Sequence, residues 1–96
     1  MIKNGKLCCP VCNDVWLHQS TVDVYINLAA DRPSDTGIHV TVLGNTPVEV
    51  DTDISKSPSS RRNGLRIGFE CETCGPVAPL AIYQHKGETF IKWETK

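Results

Sequence analysis

The amino-acid sequence predicts an all-β protein built on an antiparallel sheet of about six strands. Apolar and polar residues alternate with period two in several short segments, as they do in strands with one buried face. No segment carries apolar residues at the i, i+3, i+4 and i+7 spacing of an amphipathic helix. Residues that favour turns stand between the alternating segments, so the strands follow one another through short connections.

The first half of the chain contains three predicted strands, at residues 20–28, 38–42 and 48–50. In the first of them Val22, Val24 and Ile26 alternate with polar neighbours, which indicates a half-buried strand. Residues 31–37 and 44–47 contain proline and glycine and predict the turns between these strands. We therefore expect an inserted β region over residues 20–54.

The second half begins with residues 55–64, which hold four serines and two arginines and predict a flexible loop. The alternating segment that follows runs directly into Cys71, so a strand carries this cysteine. Residues 80–85 and 89–94 flank Gly87 and predict a closing hairpin.

Composition limits the class of protein. A chain of 96 residues is one domain, here residues 1–96, and it buries only about 60–65 % of its unfolded surface. Ten basic and eleven acidic residues give a net charge of −1, which weakens the case for non-specific DNA binding. No stretch has the ~20 apolar residues of a membrane span, and the N-terminus lacks the apolar run of a signal peptide.

The five cysteines include two Cys-x-x-Cys pairs and indicate a metal site. The pairs supply four thiolates with the spacing of a tetrahedral Zn²⁺ shell, from Cys9, Cys12, Cys71 and Cys74. Asn13 and Gly75 directly follow the pairs, and both residue types readily take the left-handed conformation of a tight turn. An odd cysteine count argues against a disulfide framework, so we expect a reducing, cytoplasmic location. A four-cysteine shell leaves no position for substrate, so we expect a structural metal and no enzyme.

Other residues offer alternatives to this ligand set. Cys8 stands beside Cys9 and has the spacing to replace it in a pairing with Cys12. Any of three histidines has the chemistry to replace a cysteine, namely His18, His39 and His85. A redox role for the first pair requires a helix after Cys9, and no helical pattern follows. Alternating carboxylates at Glu49, Asp51 and Asp53 resemble a hard-cation patch, although a solvated face explains them as well.

The two cysteine pairs and the hairpin after the second pair resemble a zinc ribbon. The departure is the separation of 58 residues between Cys12 and Cys71, where ribbon-like motifs commonly have roughly 15–20. The resemblance implies bound Zn²⁺ and an elaborated insertion between the zinc turns. Ribbons occur in proteins with many different roles, so the resemblance implies no particular activity.

Basic and aromatic residues suggest a nucleic-acid surface. Arg61 and Arg62 lie on the predicted loop, and Arg66 follows it. If Val22, Val24, Ile26, Leu80, Ile82, Ile91 and Trp93 form the core, alternation places four other residues on the opposite face, namely Tyr25, Tyr83, Phe90 and Lys92. That face is either an exposed platform for single-stranded nucleic acid or a second small core beneath the loop.

These observations favour a non-catalytic zinc-binding module that acts by binding another protein. Nucleic-acid binding through the basic loop and the aromatic face is the alternative, and a metalloenzyme or redox protein is third. No G-x-S-x-G, H-E-x-x-H or P-loop spacing organises a catalytic set.

Overall fold

The computed structural model describes residues 2–29, 32–44 and 47–94, and these form nine β-strands and no helix. The strands are β1 (Ile2–Lys3), β2 (Lys6–Leu7), β3 (Leu17–Asn27), β4 (Thr36–Val42), β5 (Glu49–Asp53), β6 (Gly64–Cys71), β7 (Gly75–Pro76), β8 (Leu80–His85) and β9 (Glu88–Trp93). The predicted all-β class is therefore confirmed. Of the predicted turns, Asp31, Asn45 and Thr46 lie outside the described residues.

The strands form a small sheet and a large one, and all their pairings are antiparallel. β1 and β2 form the two-stranded sheet, and the larger sheet has the order β5-β4-β3-β6-β8-β9, with β7 paired to β6. β3 begins earlier than the alternation predicts because a register shift between Gln19 and Val22 interrupts it. In chain order, β4 and β5 are added on one side of β3, and β6 then pairs with the other side of β3.

The register separates the residues of the sheet into two chemically different faces, since directly opposed residues share a face. We call one the aliphatic face; its two central rows are Val50-Val40-Val24-Leu65-Ile82-Ile91 and Val42-Val22-Ile67-Leu80-Trp93. We call the other the polar face; its rows are Asp51-His39-Tyr25-Gly64-Tyr83-Phe90 and Glu49-Thr41-Asp23-Arg66-Ala81-Lys92. These rows place charged side chains on the polar face only.

The aliphatic face is not the covered core that its composition predicts. The apolar residues at its centre are all only half-buried, namely Val22, Val24, Ile26, Val40, Val42, Leu65, Ile67 and Ile82. Toward its edges Ile38, Val50 and Ile91 are 39, 66 and 46 % exposed. Burial is complete only near the cysteines, where Leu80 is buried and Phe69 packs edge-on against Trp93. No second layer among the described residues covers the middle of this face.

The buried aromatic core lies on the polar face instead. Tyr25 is 3 % exposed and stacks on the His39 ring, with 4.5 Å between the ring centroids. The connection from β5 to β6, residues 54–63, passes along this end of the sheet, and its Ile54 is buried. A Cβ added at Gly64 would lie 2.7 Å from the Pro58 side chain, so only glycine permits this approach of the loop. Of the two arrangements that the sequence left open, a small core beneath the loop describes Tyr25 alone, because the other three residues of that set, on β8 and β9, are half-buried or exposed.

An ion pair crosses β8 on the polar face. Arg66 donates from Nε and Nη2 to the two carboxylate oxygens of Glu94, at 2.6 and 2.9 Å. Arg66 also donates from Nη1 to the Tyr25 hydroxyl at 3.3 Å. Because β8 lies between β6 and β9, this pair spans the position of Ala81, which is completely buried. A bidentate arginine-carboxylate pair of this kind has a more defined geometry than a pair joined by one hydrogen bond.

His39 makes the stability of the polar face depend on pH. Its Nε2 lies 2.8 Å from Asp23 Oδ1, and its Nδ1 lies 3.1 Å from Asp51 Oδ1. Burial lowers the pKa of His39, but the hydrogen bonds and charges of the two aspartates outweigh burial and raise it. A raised folded-state pKa adds stability that is complete below the unfolded value of about 6.5 and is lost as pH rises through the folded value.

We therefore expect the free energy of unfolding to fall between pH 5.5 and pH 8.5 by more in the parent chain than in His39→Gln. Urea unfolding at the two pH values measures the difference. Equal pH dependence in the two proteins would contradict the assignment, because His39 would then contribute no linked proton.

Candidate metal centre

The two Cys-x-x-Cys pairs converge on one point. The sulfur atoms of Cys9, Cys12, Cys71 and Cys74 all lie within 4.8 Å of one another, and Cys12 Sγ is 3.5 Å from Cys71 Sγ. A tetrahedral shell with Zn–S distances of about 2.3 Å has edges of about 3.8 Å. The sulfur separations therefore bracket the size of such a shell, and four cysteine sulfurs are a donor set that suits zinc.

The first pair sits on a tight loop that follows the β1-β2 hairpin. The Cys9 N–H donates to the Asp14 carbonyl at 2.7 Å, and the Asn13 N–H donates to the Cys9 carbonyl at 3.0 Å. Asn13 has a φ of 64°, which confirms the left-handed conformation that its position after the pair predicts. These hydrogen bonds fold residues 9–14 into a tight loop that carries the Cys9 and Cys12 sulfur atoms.

The second pair is carried by the sheet itself. β6 ends at Cys71, and the chain turns back so that Gly75 on β7 pairs with Cys71. Gly75 has a φ of 76°, again as the sequence predicts. The rigid strand therefore fixes the direction of the Cys71 side chain, which is 3 % exposed.

Contacts between β3 and β6 explain how the pairs meet across the long separation in sequence. Leu17, at the start of β3, pairs with Cys71. Just before β3, the Trp16 carbonyl accepts the Glu72 N–H at 3.1 Å, and Thr73 Oγ1 donates to Asp14 Oδ2 at 3.5 Å. The first loop is thus attached to the second turn by the start of β3.

The electrostatics of the four sulfurs favour a bound cation. Burial acts to raise the pKa of Cys9, but the backbone N–H groups of Cys12 and Val11 stabilise its thiolate, and the pKa falls to about 7. The pKa of Cys74 is raised to about 12, chiefly by the neighbouring Cys12 sulfur and then by burial. The raised pKa of Cys74 therefore opposes formation of a further thiolate beside Cys9 when no cation is bound, because like charges at this spacing repel one another. A divalent cation removes that opposition.

The alternative ligands lie elsewhere. Cys8 is buried, with its sulfur 3.7 Å from the Lys6 carbonyl oxygen, and it is not part of the four-sulfur group. His18 faces Glu72 at 3.4 Å, and His39 is held by its two aspartates. Glu49, Asp51 and Asp53 are exposed along β5.

The candidate nucleic-acid residues divide into separate groups. Tyr25 is buried and Arg66 is paired with Glu94, so neither presents a free surface. Tyr83 and Phe90 stack with 5.6 Å between centroids, and Lys92 Nζ lies 5.6 Å from the centre of the Tyr83 ring. Arg61 and Arg62 line a cavity together with two other basic residues, His85 and Lys86.

The sequence did not predict that His85 and Lys86 lie near Arg61 and Arg62. Their position at the predicted β8-β9 turn was visible, but only the fold brings that turn beside the loop, where the Gln84 N–H donates to the Asn63 carbonyl at 3.4 Å.

Comparison with known proteins found no matching family model, no matching curated protein and no matching solved structure. Among the described residues there is no helix with the length and apolar character that a membrane span requires. A function must therefore be inferred from the four-cysteine cluster and from the surfaces of the sheet.

Proposed function

We propose that this chain is a non-catalytic zinc-binding module that acts by protein–protein interaction. The four-sulfur cluster supports the first part, since a shell closed by four protein ligands has no open position for a substrate. The aliphatic face supports the second part and is the observation that carries the proposal. Large uncovered apolar surfaces on small proteins mark interaction sites.

The size of the aliphatic face suits a stable contact. Six strands about 4.8 Å apart, each giving about five residues at about 3.3 Å, form a flat patch of roughly 400–500 Å². A standard interface buries ~800 Å² per partner, so a patch of this size suits the apolar centre of such an interface. The largest apolar patch on a typical monomer is about 300–600 Å² and is often functional.

The occupant that this face fits is a second copy of the chain. The two central rows carry no charged side chain, so they offer no electrostatic selection for a charged partner. A second aliphatic face matches the first in polarity and in extent. Two sheets packed face to face form a β-sandwich with an apolar interior about 10 Å thick. Each copy would then bury the half-buried residues of its aliphatic face without rearranging its own strands.

Adjacent residues on β9 provide the test. Ile91 is on the aliphatic face and 46 % exposed, whereas Phe90 is on the polar face and 39 % exposed. We expect the zinc-loaded parent chain to have twice the monomer mass at tens of micromolar in light scattering after gel filtration. Ile91→Lys is expected to raise the dissociation constant at least about tenfold, because it places a charge in an apolar interface.

Phe90→Lys is the matched control and should leave the dimer intact. A monomeric parent chain, or equal weakening by the two substitutions, would overturn the second copy as the occupant. Thermal unfolding of both variants verifies that each remains folded.

Nucleic-acid binding is retained as a second candidate, because one observation favours it: the group of basic residues around the cavity that Arg61 and Arg62 line.

A further inference from the structure

We propose that this cavity is a binding site for phosphate groups. It has a volume of about 560 Å³ and lies between the loop after β5 and the β8-β9 turn. The lining residues are Ser60, Arg61, Arg62, Gln84, His85, Lys86 and Gly87. Three of the seven are permanently charged cations and a fourth is a histidine, in a chain with a net charge of −1.

The lining determines the class of ligand. None of the seven described lining residues has a hydrophobic side chain, so the cavity lacks the hydrophobic contacts that a site for a base or another ring usually makes. It offers guanidinium, ammonium, amide and hydroxyl donors instead, which match the oxygen atoms of phosphate. The site is therefore suited to consecutive phosphates, either in a nucleic-acid backbone or in a free polyphosphate.

The two sides of the cavity are held together by hydrogen bonds. Ser59 is 7 % exposed and donates from Oγ to the Gln84 carbonyl at 2.8 Å. The same oxygen accepts the Arg62 N–H at 3.0 Å, which shapes the segment that carries the arginines. On the other side, Lys86 and Gly87 have φ values of 52° and 81° and form the tight hairpin turn. The cations are thus brought together by the fold and do not depend on a ligand to gather them.

The test uses the full zinc-loaded chain with two probes, inorganic tripolyphosphate and a twelve-residue oligothymidylate. Binding is measured by calorimetry at 50 mM salt and repeated at increasing salt. We expect Arg61→Gln/Lys86→Asn to weaken binding of the preferred probe at least tenfold; asparagine suits the positive φ at position 86. If about three cations engage a single strand, the slope of log K against log salt is about −2.

The control variant is Lys3→Gln/Lys56→Gln, which removes the same charge from two exposed positions that do not line the cavity. It should bind like the parent chain. Preference for the oligothymidylate identifies a backbone site, and preference for tripolyphosphate identifies a site for free polyphosphate. No binding of either probe at 50 mM salt, or equal weakening by the control, would overturn the proposal. None of the residues tested lies on the aliphatic face, so the result is independent of the proposed dimer.

Discussion

Cys71→Ser is expected to abolish zinc binding and to remove the cooperative unfolding transition of the chain. Structural zinc supplies an apparent ~10–16 kcal/mol in small zinc domains, and an ordinary domain has a total stability of about 5–15 kcal/mol. Of the four candidate ligands, Cys71 is the one that lies in a strand, since it ends β6 and pairs with both Leu17 and Gly75. Loss of the metal there should loosen the start of β3 as well as the first cysteine loop.

Native mass spectrometry of protein purified without added metal should show one zinc per parent chain and none in Cys71→Ser. Far-UV circular dichroism before and after chelation should show loss of the strand signal in the parent chain. Absence of metal, or a fold that persists after the metal is stripped, would contradict the zinc proposal and redirect attention to thiol redox chemistry.

Cys8→Ser is the control for this experiment. Cys8 is 1 % exposed and Cys71 is 3 % exposed, so the two substitutions place a hydroxyl in similarly buried positions. If lost packing alone explained the effect of Cys71→Ser on unfolding, Cys8→Ser would lower the free energy of unfolding by at least as much. We expect it to keep one zinc per chain and a cooperative transition, because its sulfur lies outside the four-sulfur group.

Tyr25→Ala is expected to cost about 3–5 kcal/mol of unfolding free energy, as truncation of a buried aromatic side chain usually does. The substitution removes the ring that stacks on His39 and lies 5.8 Å below the Arg66 guanidinium carbon. In a domain of this size each kcal/mol shifts the melting temperature by about 4–8 °C. Thermal and urea unfolding of the zinc-loaded protein measure the loss.

Two further variants separate the causes of that loss. Tyr25→Phe keeps the ring and removes only the hydroxyl that Arg66 contacts, so it should cost about 0.5–1.5 kcal/mol. Tyr83→Ala truncates a half-buried ring in the same cross-strand row and should cost less than Tyr25→Ala. If Tyr83→Ala proved as costly, the buried core of the polar face would not be centred on Tyr25.

The local features of this protein could be predicted from its residues. Alternation located the six longer strands, because the side chains of a strand point to opposite faces and a half-buried strand shows this directly in its residue order. The cysteine spacing and the residues that follow each pair predicted both cysteine turns, including the positive φ at Asn13 and Gly75. Turns and Cys-x-x-Cys pairs are short-range features, so neighbouring residues are sufficient to specify them.

One short-range feature was missed although the sequence contained it. Asn4 and Gly5 form the turn of the β1-β2 hairpin, with φ values of 50° and 75°. Asn-Gly is a strong hairpin signal, but the flanking strands have only two residues each and show no alternation.

Which face of the sheet is covered was decided only by the tertiary structure. Alternation assigns Val24 and Tyr25 to opposite faces, but it contains no information about where the 54–63 connection passes. That path depends on the strand order, in which β6 returns beside β3 and brings Pro58 close to Gly64, the residue of β6 that pairs with Tyr25. The aliphatic face was left without a layer for the same reason.

By itself the sequence determined the six longer strands, the two cysteine pairs and the chemical segregation of the two faces, because each of these follows from residue type and spacing. Only the tertiary structure decided that Arg66 is paired with Glu94 while Arg61 lies near Lys86. Contacts between residues far apart in the chain depend on strand order and register. No local pattern in the sequence encodes either of these.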